Sequence, residues 1–276
     1  MTNINPRLFN NTVCKLRNFF LKKNFIEVHT QNRLSILAAC EDPETISTYN
    51  YAGTKWPLPQ TGQMWLEYEM LKDPEPPGYF CVSTSYRNEP NPIPGRHDTI
   101  FPMFEFELKG DVNDMQDLQK ELLVDLGYKC NFEEDDYDNM AEKLNTKDIE
   151  HEHEQQIYKD YGAVFFLKNF PSHTSPFWNM KKKEDGKGAH KIDVILSGQE
   201  TIGSAERSCS VEEMRNDFNT ISDGKYAQIL YDTFGKERVN KELDEYFNNS
   251  FIPRSGGGIG VTRLIRSMQL EGLLEK

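Results

Sequence analysis

The sequence predicts a chain of mixed strand and helix in which at least two strands run antiparallel. Three observations carry this. Residues 81–108 read as strand, loop, strand: 81–87 alternates apolar and polar residues, and 104–108 (Phe-Glu-Phe-Glu-Leu) alternates strictly, as a half-buried antiparallel strand does. Four prolines and a glycine lie between the two runs, so the connection is neither helix nor tight turn. Near the other end, residues 254–266 (RSGGGIGVTRLIR) pass from a glycine run into renewed helical periodicity. Third, Phe9, Val13, Leu16 and Phe20 recur at helical spacing.

In chain order, Asn5-Pro6 reads as an N-cap with proline at the first helical position, and 25–28 as a short strand. Residues 40–55 are polar and read as irregular. Residues 111–126 predict an amphipathic helix with Met115, Leu118, Leu122 and Leu123 on one face and Gly127 as C-cap. Residues 128–160 are strongly acidic. His151 and His153 there are one residue apart, so they fall on different faces of a helix, and the segment reads as a solvated face or insertion rather than a metal site. Residues 164–180 give a strand and then a loop. In 191–209 Ile192, Val194 and Leu196 alternate, which predicts a strand with Asp193 on the opposite face. Ser210 and Glu213 form a capping-box pattern, Val239, Leu243, Tyr246 and Phe247 mark another amphipathic helix, and Pro253 ends the linker before the glycine-rich strand.

The 276 residues suit one large domain or two small ones, with 28% charged and 12% aromatic residues. No apolar run approaches the roughly 18 residues of a transmembrane helix, and the N-terminus lacks a signal pattern. Five scattered cysteines without Cys-x-x-Cys predict reduced thiols and a cytoplasmic location. The net charge of −12 argues against a chain that lives on nucleic acid, and no DNA partner is expected. Lys15, Arg17, Lys22 and Lys23, and Lys181, Lys182, Lys183, Lys187 and Lys191, read as solvated basic faces.

The chemistry concentrates in the hairpin, where Arg87, Glu89, Arg96, His97 and Phe101 cluster. A guanidinium on a strand grips phosphate or carboxylate in a fixed fork, and an aromatic offers a face to a planar base. The glycine run alone is a weak phosphate-loop signal, since the Gly-Lys-Ser/Thr of a P-loop is absent. Taken together, however, Arg-x-Glu, a loop with Arg-His, an aromatic, and a C-terminal Gly-x-Gly-x-x-Arg helix resemble motifs 2 and 3 of the class II aminoacyl-tRNA synthetases. The detail is most similar to the aspartyl, asparaginyl and lysyl branch. The resemblance covers nearly the whole chain and implies an α+β fold: one catalytic domain over 1–276, an antiparallel sheet with flanking helices, and an acidic helical insertion near 111–160.

The resemblance also implies roles. Arg87 and Arg263 become the catalytic arginines, with Arg87 on the α-phosphate and the amino-acid carboxylate. Glu89 meets the adenine edge, Phe101 and Arg263 sandwich the base, and Arg96, His97 and Arg263 reach the outer phosphates of ATP. Asp193 and Glu200 hold Mg²⁺. Glu41 takes the substrate ammonium, Gln63 its backbone groups, and Arg207 its side-chain oxygen. Leu66 stands where aspartyl enzymes carry lysine, and Gly203 where they carry serine; both follow the asparaginyl pattern and favour an amide substrate, or a site that pairs an acid differently. Other positions depart from the pattern: Gln31 replaces a proline, Glu206 a glutamine, and Ser175 or Pro176 a basic residue before Pro-Phe-Trp.

Full-length relatives carry an N-terminal anticodon-binding barrel; the resemblance begins at the first helix, so no such barrel is expected here. Together with the net charge of −12, this weighs against tRNA and favours a small-molecule acceptor. The resemblance thus leaves three readings. One is a ligase of the asparaginyl type that activates asparagine or aspartate with ATP, with tRNA a possible acceptor and a homodimer implied. A second is an asparagine synthetase passing an aspartyl-adenylate to ammonia, since the bacterial ammonia-dependent asparagine synthetase ends in a similar GGGIG-x-x-R. The third is a non-catalytic binding or regulatory module.

Overall fold

The structure is a computed structural model that describes residues 4–30, 35–38, 43–93, 98–129 and 132–274. Its frame is an eight-stranded sheet in the order β1-β4-β5-β10-β9-β8-β7-β6. The strands are β1 (Ile26–Glu27), β4 (Gly78–Tyr86), β5 (Ile100–Lys109), β6 (Glu133–Asp136), β7 (Val164–Pro171), β8 (Gly188–Leu196), β9 (Gln199–Glu206) and β10 (Arg254–Gly260). The central six run antiparallel, while β1 and β6 join the two edges in parallel. A separate hairpin pairs β2 (Thr48–Tyr51) with β3 (Thr54–Pro57). Residues 40–55 were expected to be irregular; the polar β-formers at 48–51 instead find partners in 54–57 through the tight Ala52-Gly53 turn, both residues at positive φ.

One face of the sheet carries the main core. Helices α1 (Pro6–Lys22), α3 (Val112–Leu126) and α9 (Val261–Leu270) bury Leu16, Phe20, Met115, Leu122 and Leu264 against Phe80, Phe104, Phe106, Val194 and Ile259. Their ends are local chemistry. Asn5 accepts from the backbone of Arg7 and Leu8 to open α1. Asp111 and Asp114 form a reciprocal capping box on α3, and Gly127 closes it at φ 103°. At the head of α6 (Val211–Thr220) the expected box is half made: Ser210 caps Glu213 N, while the Glu213 carboxylate accepts from Ser208 Oγ.

The opposite face is covered at its two ends. Helices α2 (Gln63–Lys72), α6, α7 (Lys225–Phe234) and α8 (Lys236–Phe247) enclose Trp178, Phe218 and Tyr246. At the other end, α4 (Tyr137–Lys143) and α5 (His151–Tyr161) cover Phe165, Leu167 and Ile195. The acidic residues 128–160 therefore supply an edge strand and two helices with buried apolar faces. His153 turns back to cap α5, its Nδ1 accepting from Glu150 N. No helix among the described residues is long and apolar enough to cross a membrane.

The strict alternation at 104–108 does not mark a half-buried strand. Phe104, Phe106 and Leu108 face the main core, yet Glu105 and Glu107 are 1% and 0% exposed on the other side. Both faces are covered because α2 packs over the acidic one. The alternation separates two buried environments, one apolar and one polar.

Candidate active site

Between the two covered ends the sheet carries a bare floor. Its register aligns Glu107, Gly256, Ala205 and Lys191 in one row, and Glu105, Gly258, Gly203 and Asp193 in the next. Each row crosses four strands, so its two polar ends stand about 14 Å apart at ~4.8 Å per strand. Only an alanine and three glycines lie between them. The glycine at 256 is required sterically, since a Cβ there would overlap Glu107 Oε2 and lie 2.4 Å from Phe106 O; at Gly258 a Cβ would lie 2.6 Å from Met103 Cε, the end of a flexible side chain.

Two cavities open on this floor and share Glu200, Gly203 and Gly258. The smaller, about 150 Å³, is lined by Arg87, Glu89, Phe101, Thr262 and Arg263. Arg87 follows β4, and its backbone N–H donates to Thr99 O at 2.8 Å, closing the base of the long loop. Its guanidinium lies 5.6 Å from the centre of the Phe101 ring. Burial pulls Arg87 below its usual value, with Glu200 pulling up and Arg263 down. Arg263, in the first turn of α9, donates to Glu200 O at 2.8 Å and stands 3.6 Å from the Glu200 carboxylate. The structure thus brings Arg87, Glu89, Phe101 and Arg263 to one cavity. Arg96, His97 and Glu41 lie outside the described residues.

The larger cavity, about 270 Å³, is lined by Gln63, Glu105, Phe177, Asn179, Lys191 and Arg207, among others. Gln63 opens α2, and its amide donates to Glu107 and to Phe106 O. Arg207 is buried and meets Glu107 at 3.4 Å and Glu67 at 3.7 Å. Glu105 is held by the Thr61 hydroxyl, Gly62 N–H and Ser83 hydroxyl. Burial pushes the Glu107 carboxyl up to about 7, because Arg207 stands too far off to offset it fully. Glu67 goes the other way. Burial opposes its charge, but Arg254 at 2.7 Å, then Arg207 and the Tyr246 hydroxyl, hold it below its usual value.

Asp193 and Glu200 converge over Gly203, where an added Cβ would lie 3.0 Å from Glu200 Oε1 and 3.6 Å from Asp193 Oδ1. Among the described residues Asp193 Oδ1 is buried without a hydrogen-bond partner. Two hard oxygens facing one point, one of them unsatisfied, fit a magnesium ion. Lys191 was expected on a solvated face. It instead sits in the cavity wall, its ammonium 2.7 Å from Asp193 Oδ2. Burial opposes the ammonium charge, yet Asp193 and Glu200 outweigh it and hold Lys191 above its usual range.

Sequence reasoning gave no site role to Glu67, Glu105, Glu107, Lys191 or Arg254. The first three were visible as acids at alternate or helical spacing near apolar residues. What hid their place was register: only cross-strand pairing shows that the 104–108 acids and the Asp193 side chain share a face.

An antiparallel sheet flanked by helices, with paired cavities over a glycine floor, defines the class II synthetase fold. The chain belongs to the tRNA synthetases class II (D, K and N), whose family model matches residues 4–272. It is 23% identical over 226 residues to an aspartate–tRNA(Asp) ligase of Pyrobaculum aerophilum, covering 68% of this chain and 47% of that one. It is 23% identical over 287 residues to an asparagine–tRNA ligase of Desulforamulus reducens, covering 90% and 62%. Among solved structures, asparaginyl-tRNA synthetase from Pyrococcus horikoshii complexed with asparaginyl-adenylate superposes with a TM-score of 0.78 at 20% identity, over 95% of this chain and 64% of that one. The chain spans about half to three fifths of the length of the curated relatives it matches.

Proposed function

We propose that this chain activates aspartate or asparagine with ATP, forming an aminoacyl-adenylate and pyrophosphate. The observation that carries this is the meeting of two cavities at Glu200, Gly203 and Gly258. A nucleotide in the smaller and an amino acid in the larger bring a carboxylate to an α-phosphorus. The carboxylate oxygen forms the new P–O bond, the α–β bridging bond breaks, and pyrophosphate leaves with the electron pair. Arg87 stabilises the charge that develops on the α-phosphate. Phe101 and Arg263 hold the base, Glu89 reads its edge, and Arg96 and His97 meet the outer phosphates. Gln63 orients the amino acid with Glu41 on its ammonium, and Arg207 faces its side chain. Asp193 and Glu200 would hold Mg²⁺, which when bound supplies positive charge to the phosphates. Positioning and electrostatics carry such a step, with no side-chain nucleophile.

The relatives are named as tRNA ligases, which favours tRNA as acceptor. A second copy of the chain would cover Leu21 and Ile26, which are 51% and 45% exposed, and gives a homodimer. ATP–pyrophosphate exchange with each of the twenty amino acids tests the activation step. Exchange with aspartate or asparagine supports it, and exchange with none defeats it. Adding tRNA or ammonium then separates aminoacyl-tRNA formation from asparagine synthesis.

A further inference from the structure

Lys191 stands in the wall of the amino-acid cavity with no part in the reaction described so far. It lies on β8 two residues before Asp193, so both side chains face the ligand side of the sheet. Its ammonium sits 3.7 Å from the centre of the Phe170 ring and 2.7 Å from Asp193 Oδ2. Ring and carboxylate together fix a side chain that is otherwise flexible. Among the described residues its hydrogen bond goes to Asp193, which uses one of three N–H donors.

Register decides what the remaining donors can serve. Lys191 pairs with Ala205, and Arg207 follows two residues later on the same face of the chain. Such diagonal neighbours stand about 7–8 Å apart, within reach of long side chains. Lys191 and Arg207 are the cations among the described residues that line this cavity. Arg207 holds its own carboxylates loosely, at 3.4 Å and 3.7 Å. Elsewhere among the described residues the cavity wall offers no positive charge: Ser175 and Pro176 are neutral, and Leu66, on α2, is buried with Met70, Tyr79 and Cys81 away from the lining.

We propose that Lys191, together with Arg207, receives the side-chain carboxylate of the substrate, so that the site takes aspartate over asparagine. This rests on the amino-acid-activating reading of the cavity. An ammonium and a guanidinium are donors only. A carboxylate satisfies both with its two oxygens. An amide turns an NH₂ toward one of them, leaving donor against donor. Lys191 thus supplies, from β8, a charge that the cavity-lining residues of α2 do not.

The test compares aspartate with asparagine in pyrophosphate exchange and in thermal stabilisation by each amino acid alone, using wild type, Lys191→Met and Lys191→Arg. Wild type should prefer aspartate. Lys191→Met should lose at least tenfold more kcat/KM for aspartate than for asparagine, chiefly through KM, and aspartate should cease to raise its Tm. Lys191→Arg should keep the preference, and decides the matter if the methionine variant does not fold. Equal losses for both amino acids would reduce Lys191 to a partner of Asp193. A wild type that prefers asparagine overturns the assignment of Lys191 while leaving activation intact. Exchange with no amino acid overturns both.

Discussion

Arg254 and Glu67 meet 2.7 Å apart with neither side chain exposed to solvent. Arg254 donates through Nε and Nη2 to one carboxylate oxygen, Tyr246 donates to the same oxygen at 2.7 Å, and Asn179 donates to the other. The cluster joins α2, β10 and α8, and its Glu67 and Asn179 line the larger cavity. Removing one partner of such a pair leaves a buried charge alone, at about 3–5 kcal/mol. Arg254→Met should therefore lower the urea midpoint by that much stability with an unchanged m-value. Adding Glu67→Gln to the same chain should restore part of the loss; a double variant no more stable than the single would contradict the pairing.

The two floor glycines should differ in their tolerance of a methyl group. At Gly256 the added carbon meets Glu107 and the Phe106 backbone, which cannot move without breaking the sheet. At Gly258 it meets the terminal carbon of Met103, which can rotate away. Gly256→Ala should cost about 1–3 kcal/mol or more, as overpacking does. Gly258→Ala should cost less and narrow both cavities instead. Thermal denaturation and amino-acid binding of the two variants measure the contrast.

Glu107 makes stability depend on pH. Burial, against the pull of Arg207, raises its carboxyl from 4.5 to about 7 in the folded chain. The folded state thus binds a proton that the unfolded chain has released between these values. The stability this contributes is fully present below about 4.5 and is lost as pH rises through about 7. A shift of this size corresponds to about 3 kcal/mol. Glu107→Gln should flatten the fall in Tm between pH 5 and 7.5, and an unchanged slope would count against this assignment.

Arg87→Ala should lower exchange by about 10²–10³-fold or more, the loss seen when a donor to developing charge is removed. The residue lies at a strand end and contributes no apolar core, so Tm should move by only a few degrees. A variant with full exchange would remove Arg87 from the site.

Much of this was legible in the residues themselves. The helix over 111–126, the strand that carries Asp193, and the glycine strand running into the Arg263 helix all appear as expected, because each has its own periodicity or cap. Arg87, Glu89, Phe101 and Arg263, singled out by the resemblance, line one cavity. The failures have a common cause. Lys191 was read as solvated and the 104–108 strand as half-exposed, since a sequence shows alternation but not what covers each side. Helix α7, which buries Tyr226 and Leu230, went unread between two stronger signals.

The glycine floor carries a consequence for how such a chain can diverge. At its three glycines the depth is set by main chain, so no substitution at them can enlarge it, and every one would fill it. Change in ligand preference is left to the rim, at Gln63, Lys191 and Arg207, where one side chain can be exchanged without disturbing a strand. Paralogues built on this frame would therefore keep the floor unaltered and record their differences in those few positions.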